Sequence, residues 1–139
     1  MSIFFNSRLP QTIPSLKIGE QIKFIADVNE GKAYNEKTGI FTTKEDGYYK
    51  FAFTIGCSGT KENVAANLVV TKKTKTHDTI VASAATDISR PSDPLICSQA
   101  SNSSIVWMAS GDKAKVVISQ KEAQKIAGDG VSTFSGYKL

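Results

Sequence analysis

The sequence predicts an all-β sandwich, on three observations. Short segments rich in β-branched and aromatic residues recur along the chain, separated by Gly, Asn, Asp, Pro and Lys. No segment repeats its apolar residues at helical spacing over three turns. Residues 47–57, GYYKFAFTIGC, alternate with period two. Tyr49, Phe51, Phe53, Ile55 and Cys57 form an apolar face, and Tyr48, Lys50, Ala52 and Thr54 form a mixed one.

Taken in order, strands are expected at residues 3–5, 22–24, 39–43, 48–55, 64–72, 79–84, 104–108, 114–119 and 133–137, each a short apolar run bounded by turn residues. Gly47, after Glu45 and Asp46, supplies the turn that starts the central strand. Residues 121–127, KEAQKIA, read as a loop with at most one helical turn. The 139 residues, without repeat or linker, fit one domain. At this point a jelly roll, an immunoglobulin-like sandwich and a lipocalin-like barrel all remain open.

Composition narrows the function classes. Hydrophobic residues make up 40% and charged residues 22%, a globular balance rather than a disordered one. The net charge of +4 rests almost entirely on lysine, with Arg8 and Arg90 the only arginines. Lysine is a hydrated point charge without the planar fork that reads bases, so no nucleic-acid partner is expected. Loose attraction to anionic surfaces is a better match. The first twenty residues hold no long apolar run, so neither a signal peptide nor a membrane span is expected there.

Catalytic chemistry finds little support. His77 is the single histidine, beside Asp78 in an expected turn, with no nucleophile motif. The sequence lacks GxSxG, HExxH, P-loop and GxGxxG patterns, so no enzyme is expected. Cys57 and Cys97 have no CxxC spacing, which disfavours zinc. Lys72, Lys73 and Lys75 with His77 cluster on one connection. They read either as a solvated loop that guards a sheet edge or as a ligand patch for anionic polymers. Asn102-Ser103-Ser104 is a glycosylation sequon, relevant only to a secreted chain.

Residues 29–53, NEGKAYNEKTGIFTTKEDGYYKFAF, carry a recognisable spacing: Asn29, Tyr34, Phe41, Gly47, Tyr49, Phe51 and Phe53. This stretch resembles the diagnostic segment of the C1q globular domain, within the C1q/tumour-necrosis-factor superfamily. Phe24 sits one residue nearer Asn29 than the family spacing, read as a shortened loop. Met108-Ala-Ser-Gly111-Asp112 is similar to the family's Leu-x-x-Gly-Asp turn, with Ala114 where Val is usual. Residues 132–137, STFSGY, resemble its closing strand, and residues 3–8, IFFNSR, its opening one.

The resemblance implies a ten-stranded C1q/TNF-like jelly-roll sandwich spanning residues 1–139, associating as a homotrimer. Tyr48 and Trp107, off the core parity, are the candidates for intersubunit contact, or else ordinary partly exposed aromatics. The family's topology brings the strand ending at Cys57 near the one beginning at Cys97. A disulfide is conceivable there, with two buried free thiols as the favoured reading. No cofactor is required. Calcium, held by several C1q domains, has candidate ligands in Asp87, Asp93 and Asp112, which also read as solvated loop charges. With no Gly-X-Y repeat, the chain resembles the head-only members common in invertebrates. The implied role is a secreted lectin-like protein of innate immunity, binding glycans or anionic microbial polymers. The alternatives are a matrix or calcium- and mineral-associated structural protein, and a TNF-like receptor ligand.

Overall fold

A computed structural model describes residues 2–57, 63–75, 77–86 and 99–139. The strands in chain order are β1 (Phe4–Arg8), β2 (Ile13–Leu16), β3 (Ile25–Glu30), β4 (Tyr34–Asn35), β5 (Ile40–Thr42), β6 (Gly47–Gly56), β7 (Ala65–Thr71), β8 (Asp78–Ala85), β9 (Gln99–Met108), β10 (Lys113–Ile118), β11 (Gln124–Ile126) and β12 (Thr133–Lys138). Among the described residues they form two five-stranded antiparallel sheets, ordered β3-β1-β12-β6-β9 and β4-β5-β10-β7-β8. These are the ten strands of a jelly-roll sandwich. A two-stranded ribbon, β11-β2, is added to them.

Alternation sets which side of each strand is buried. On β6 the residues Tyr49, Phe51, Phe53 and Ile55 are fully buried, while Tyr48 on the opposite side is exposed. Strand β12 lies between β1 and β6, so Phe134 pairs with Phe53 and sits centrally in the core. Phe134 meets Phe5 edge-on at 5.0 Å, and Phe5 stacks on Tyr34 at 4.7 Å. Space for these rings depends on Gly136. A Cβ there would lie 2.5 Å from Phe51 Cδ1 and 2.8 Å from Phe5 Cε1.

The spacing between Asn29 and Tyr34 has a direct physical cause. Asn29 Nδ2 donates to the Tyr34 carbonyl at 2.8 Å, and the Tyr34 N–H donates to Asn29 Oδ1 at 3.3 Å. The carboxamide thereby clamps a turn in which Gly31 and Lys32 both take positive φ. Tyr34 also joins the core. Its hydroxyl donates to the Phe24 carbonyl at 3.1 Å and accepts from the Phe24 N–H at 3.0 Å. Burial pushes its phenol up to about 12.

Four local expectations change. Residues 22–24 are buried at Ile22 and Phe24 but form no strand; the segment is tied to β10 by single bonds such as Ile22 N–H to Val116 O, at 2.9 Å. Strand pairing starts at Ile25 instead. The interval between Phe24 and Asn29 is therefore strand β3 rather than a shortened loop. Its register slips between Asn6 and Ser7, leaving Asp27 as a bulge residue. Residues 121–127 contain strand β11 rather than loop alone, anchored by the buried Gln124. Finally, Cys57 is disulfide-bonded, which overturns the favoured reading of two free thiols. The chain's other cysteine, Cys97, lies outside the described residues.

Candidate functional site

The outward side of the β3-β1-β12-β6-β9 sheet is divided into two ends. Strand register places Glu30, Phe4, Tyr137, Lys50 and Ile105 in one row across the five strands. The next pair on the same side is Tyr48 and Trp107, whose rings meet edge-on at 5.1 Å. Tyr48 is 56% exposed and Trp107 50%, with Phe4, Ile105 and Tyr137 also exposed. Toward the other end the rows become mostly small and polar on the inner strands, running through Val28, Asn6, Ser135, Ala52 and Ser103, then Ile25, Arg8, Thr133, Thr54 and Ser101, with Val28 and Ile25 exposed on the edge strand β3. One end of the sheet thus exposes an aromatic cluster, and the other exposes hydroxyls with apolar side chains only on β3.

Parity alone placed Tyr48 and Trp107 off the core, and both are exposed. It missed Phe4, Ile105 and Tyr137, whose place beside them depends on strand register rather than on any local pattern. The signal available was the alternation of β12, where Tyr137 has the opposite parity to Phe134 and Gly136.

The lysine cluster lies on the β7–β8 hairpin, beside the same edge of the molecule. Lys73, Lys75 and His77 are exposed. Lys72 is not free to extend. Its ammonium donates to the Trp107 carbonyl at 2.7 Å and to Asp112 Oδ2 at 3.0 Å. Asp112, on the turn between β9 and β10, is buried. Its Oδ1 accepts from the Lys73 N–H and its Oδ2 from the Ala109 N–H, both at 2.9 Å. Burial alone would raise its pKa. The backbone N–H groups of Lys73 and Ala109, with the Lys72 ammonium, outweigh that and hold the carboxyl below the usual range. Gly111 adopts φ 96° to turn the chain into this arrangement.

The Asp112 carboxylate therefore already accepts from three donors of its own chain. Asp87 and Asp93 lie outside the described residues. Among the described residues no group of three or more His, Cys, Asp or Glu side chains is placed to hold a metal ion. Among them, too, no helix is long and apolar enough to cross a membrane.

Lys72, Lys75 and Trp107 also line a cleft of about 250 Å³ together with Val70, Thr79, Val81 and Val106. The cleft opens at the seam between β8 and β9, which belong to different sheets. Further along that seam the Asn102 carboxamide donates to the Ser83 carbonyl at 2.9 Å. The sequon asparagine thus fastens one sheet to the other.

Comparison with known proteins agrees with this geometry. No curated protein sequence matches the chain. Among solved structures it is similar to Eiger TNF from S. frugiperda, with a TM-score of 0.81 at 11% identity, over 99% of this chain and 92% of that one. It is similar to the globular domain of the zebrafish complement 1qA protein, with a TM-score of 0.74 at 16% identity, over 100% and 98% of the two chains. Murine APRIL gives a TM-score of 0.76 at 11% identity, over 100% of both chains. These likenesses fix the jelly-roll fold. The family model for the C1q domain matches residues 5–139, nearly the full length, and the chain is accordingly a member of the C1q domain family.

Proposed function

We propose that the protein is a secreted, non-catalytic recognition protein that acts as a homotrimer and binds anionic glycans or microbial surface polymers. The observation that carries this reading is the exposed apolar end of one sheet. Phe4, Tyr48, Ile105, Trp107 and Tyr137 lie together on one side, each at least 40% exposed. Monomeric soluble proteins rarely leave such a patch in water, and closed symmetric association covers it. C1q and TNF domains form trimers, and a threefold arrangement presents the β7–β8 hairpin three times.

Lys73 and Lys75 extend from that hairpin, so each subunit adds weak attraction to a polyanion and the three act together. Kinship and this charge support the lectin-like and innate-immune role, without any step through a metal. Sedimentation should give a species of about 45 kDa, three times the 15.0 kDa chain. Binding to immobilised lipopolysaccharide and sulfated glycans should weaken with salt. A monomer at every concentration overturns the assembly. Absence of polyanion and glycan binding by the trimer, with calcium present, overturns the recognition role.

A further inference from the structure

Lys50 stands among apolar side chains on the outward face of the β3-β1-β12-β6-β9 sheet. Its register partners are Tyr137 on β12 and Ile105 on β9, and Tyr48 and Trp107 form the next row. Those four side chains are exposed, while Lys50 is partly buried. A neighbouring subunit that covers this patch therefore covers an ammonium as well. Out of water, an ammonium without a counter-charge is strongly unfavourable.

The sheet does not supply that counter-charge. Its five strands carry three basic residues, Arg8, Lys50 and Lys138, and two acidic ones, Asp27 and Glu30. Arg8 is paired with Asp27 at 2.9 Å, and Lys138 with Glu45 at 3.0 Å. Lys50 has no ion-pair partner among the described residues. Glu30 shares its row but lies three strand spacings away on the edge strand, about 14 Å, with Phe4 and Tyr137 between.

A ring of three subunits closed through this face turns the centre of each face inward, so three ammoniums enter one interior. A monovalent anion leaves most of their charge unbalanced. A tetrahedral oxyanion is multiply charged and offers acceptor oxygens to several donors at once. Tyr137 brings a further donor, since its hydroxyl has no hydrogen-bond partner among the described residues.

We propose that closure of the homotrimer captures one inorganic oxyanion, phosphate or sulfate, between the Lys50 ammoniums of the three subunits. The proposal rests on the trimer put forward above. It needs no open surface, because the anion is enclosed as the subunits meet.

The test is sedimentation equilibrium of the full chain at fixed ionic strength, with chloride exchanged stepwise for low concentrations of phosphate or of sulfate. The trimer should tighten about tenfold, and the effect should saturate, as for a ligand bound only by the assembled form. The anion with the larger effect identifies the natural occupant. Lys50→Met brings no charge into the interior, so it should assemble without the anion and lose the response. Lys50→Arg should keep it. Equilibrium dialysis with the labelled anion should give one bound ion per three chains.

Equal tightening of the wild type and Lys50→Met marks a general salt effect and overturns the proposal. One ion per chain overturns it too, as that places the anion on separate surface lysines. Weaker assembly of Glu30→Gln, with no response of the wild type to either anion, assigns the counter-charge to a neighbour's carboxylate and also overturns it. A trimer indifferent to oxyanions sinks this proposal alone; a monomer at every concentration sinks the assembly as well.

Discussion

Asp112 and Lys72 meet at 3.0 Å where the β9–β10 turn touches the β7–β8 hairpin, forty residues apart in sequence. The carboxylate also takes the N–H groups of Lys73 and Ala109, so one side chain fixes the base of the hairpin and its own turn. Replacing it with Ala leaves two backbone donors and an ammonium without their acceptor. Asp112→Ala should lower stability by about 2–4 kcal/mol in urea unfolding, in line with lost bonds to a charged group. Asp112→Asn should lie between the wild type and Asp112→Ala.

The same group gives a pH dependence of known sign. Its folded pKa is depressed, so its contribution is complete above the unfolded value of about 4 and fades as pH falls through the folded value. Thermal melts from pH 6 downward should show the wild type losing stability below about pH 4, with a flatter acid limb for Asp112→Asn.

Gly136 lies on β12 between Phe5 of β1 and Phe51 of β6. A methyl group at this position would fall 2.5 Å from Phe51 Cδ1 and 2.8 Å from Phe5 Cε1, so Gly136→Ala forces two core rings off their positions. A loss of about 1–3 kcal/mol is expected, typical of overpacking. Near-ultraviolet circular dichroism should report the disturbed aromatic packing.

Much of the sandwich was readable because one-sided burial forces period-two alternation, as on β6 and β12. The Asn29–Tyr34 spacing was readable through its family resemblance, whereas the carboxamide clamp that fixes it was not. Other elements hid for physical reasons. Strand β11 is held by Gln124, whose Oε1 accepts from the Ala65 N–H at 2.7 Å and whose Nε2 donates to the Ser119 and Lys121 carbonyls. A buried amide satisfied in this way leaves no apolar signature. Strand β2 includes Pro14 and turns Ile13 and Leu16 to the core at three-residue spacing, and β3 is an edge strand with no fully buried residue, so neither shows a period-two apolar face. The lysine cluster was visible as charge. That Lys72 is already paired was not, because its partner is distant in sequence.

Cys57 follows the central strand and is disulfide-bonded. Closing a long loop in this way restricts the unfolded chain, so Cys57→Ser should cost about 2–4 kcal/mol. Denaturant midpoints with and without reductant should differ for the wild type and coincide for the variant.

Trp107→Asp tests the apolar end of the sheet without opening the core, since the ring is half exposed and its main partner is Tyr48 at 5.1 Å. Light scattering should then give a mass near 15.0 kDa. The isolated chain should lose about 1 kcal/mol of stability, the scale of one aromatic pair.

Trp107 borders both the outward sheet face and the β8–β9 cleft, and its carbonyl holds Lys72. A molecule in the cleft and a neighbouring subunit docked on the sheet face would act on the same residue and so be thermodynamically linked. A compound that prefers the cleft of the assembled form pulls dilute subunits together, and its apparent affinity rises with protein concentration. One that prefers the dissociated chain does the reverse. Dose–response curves recorded at a single protein concentration would then conflate two equilibria.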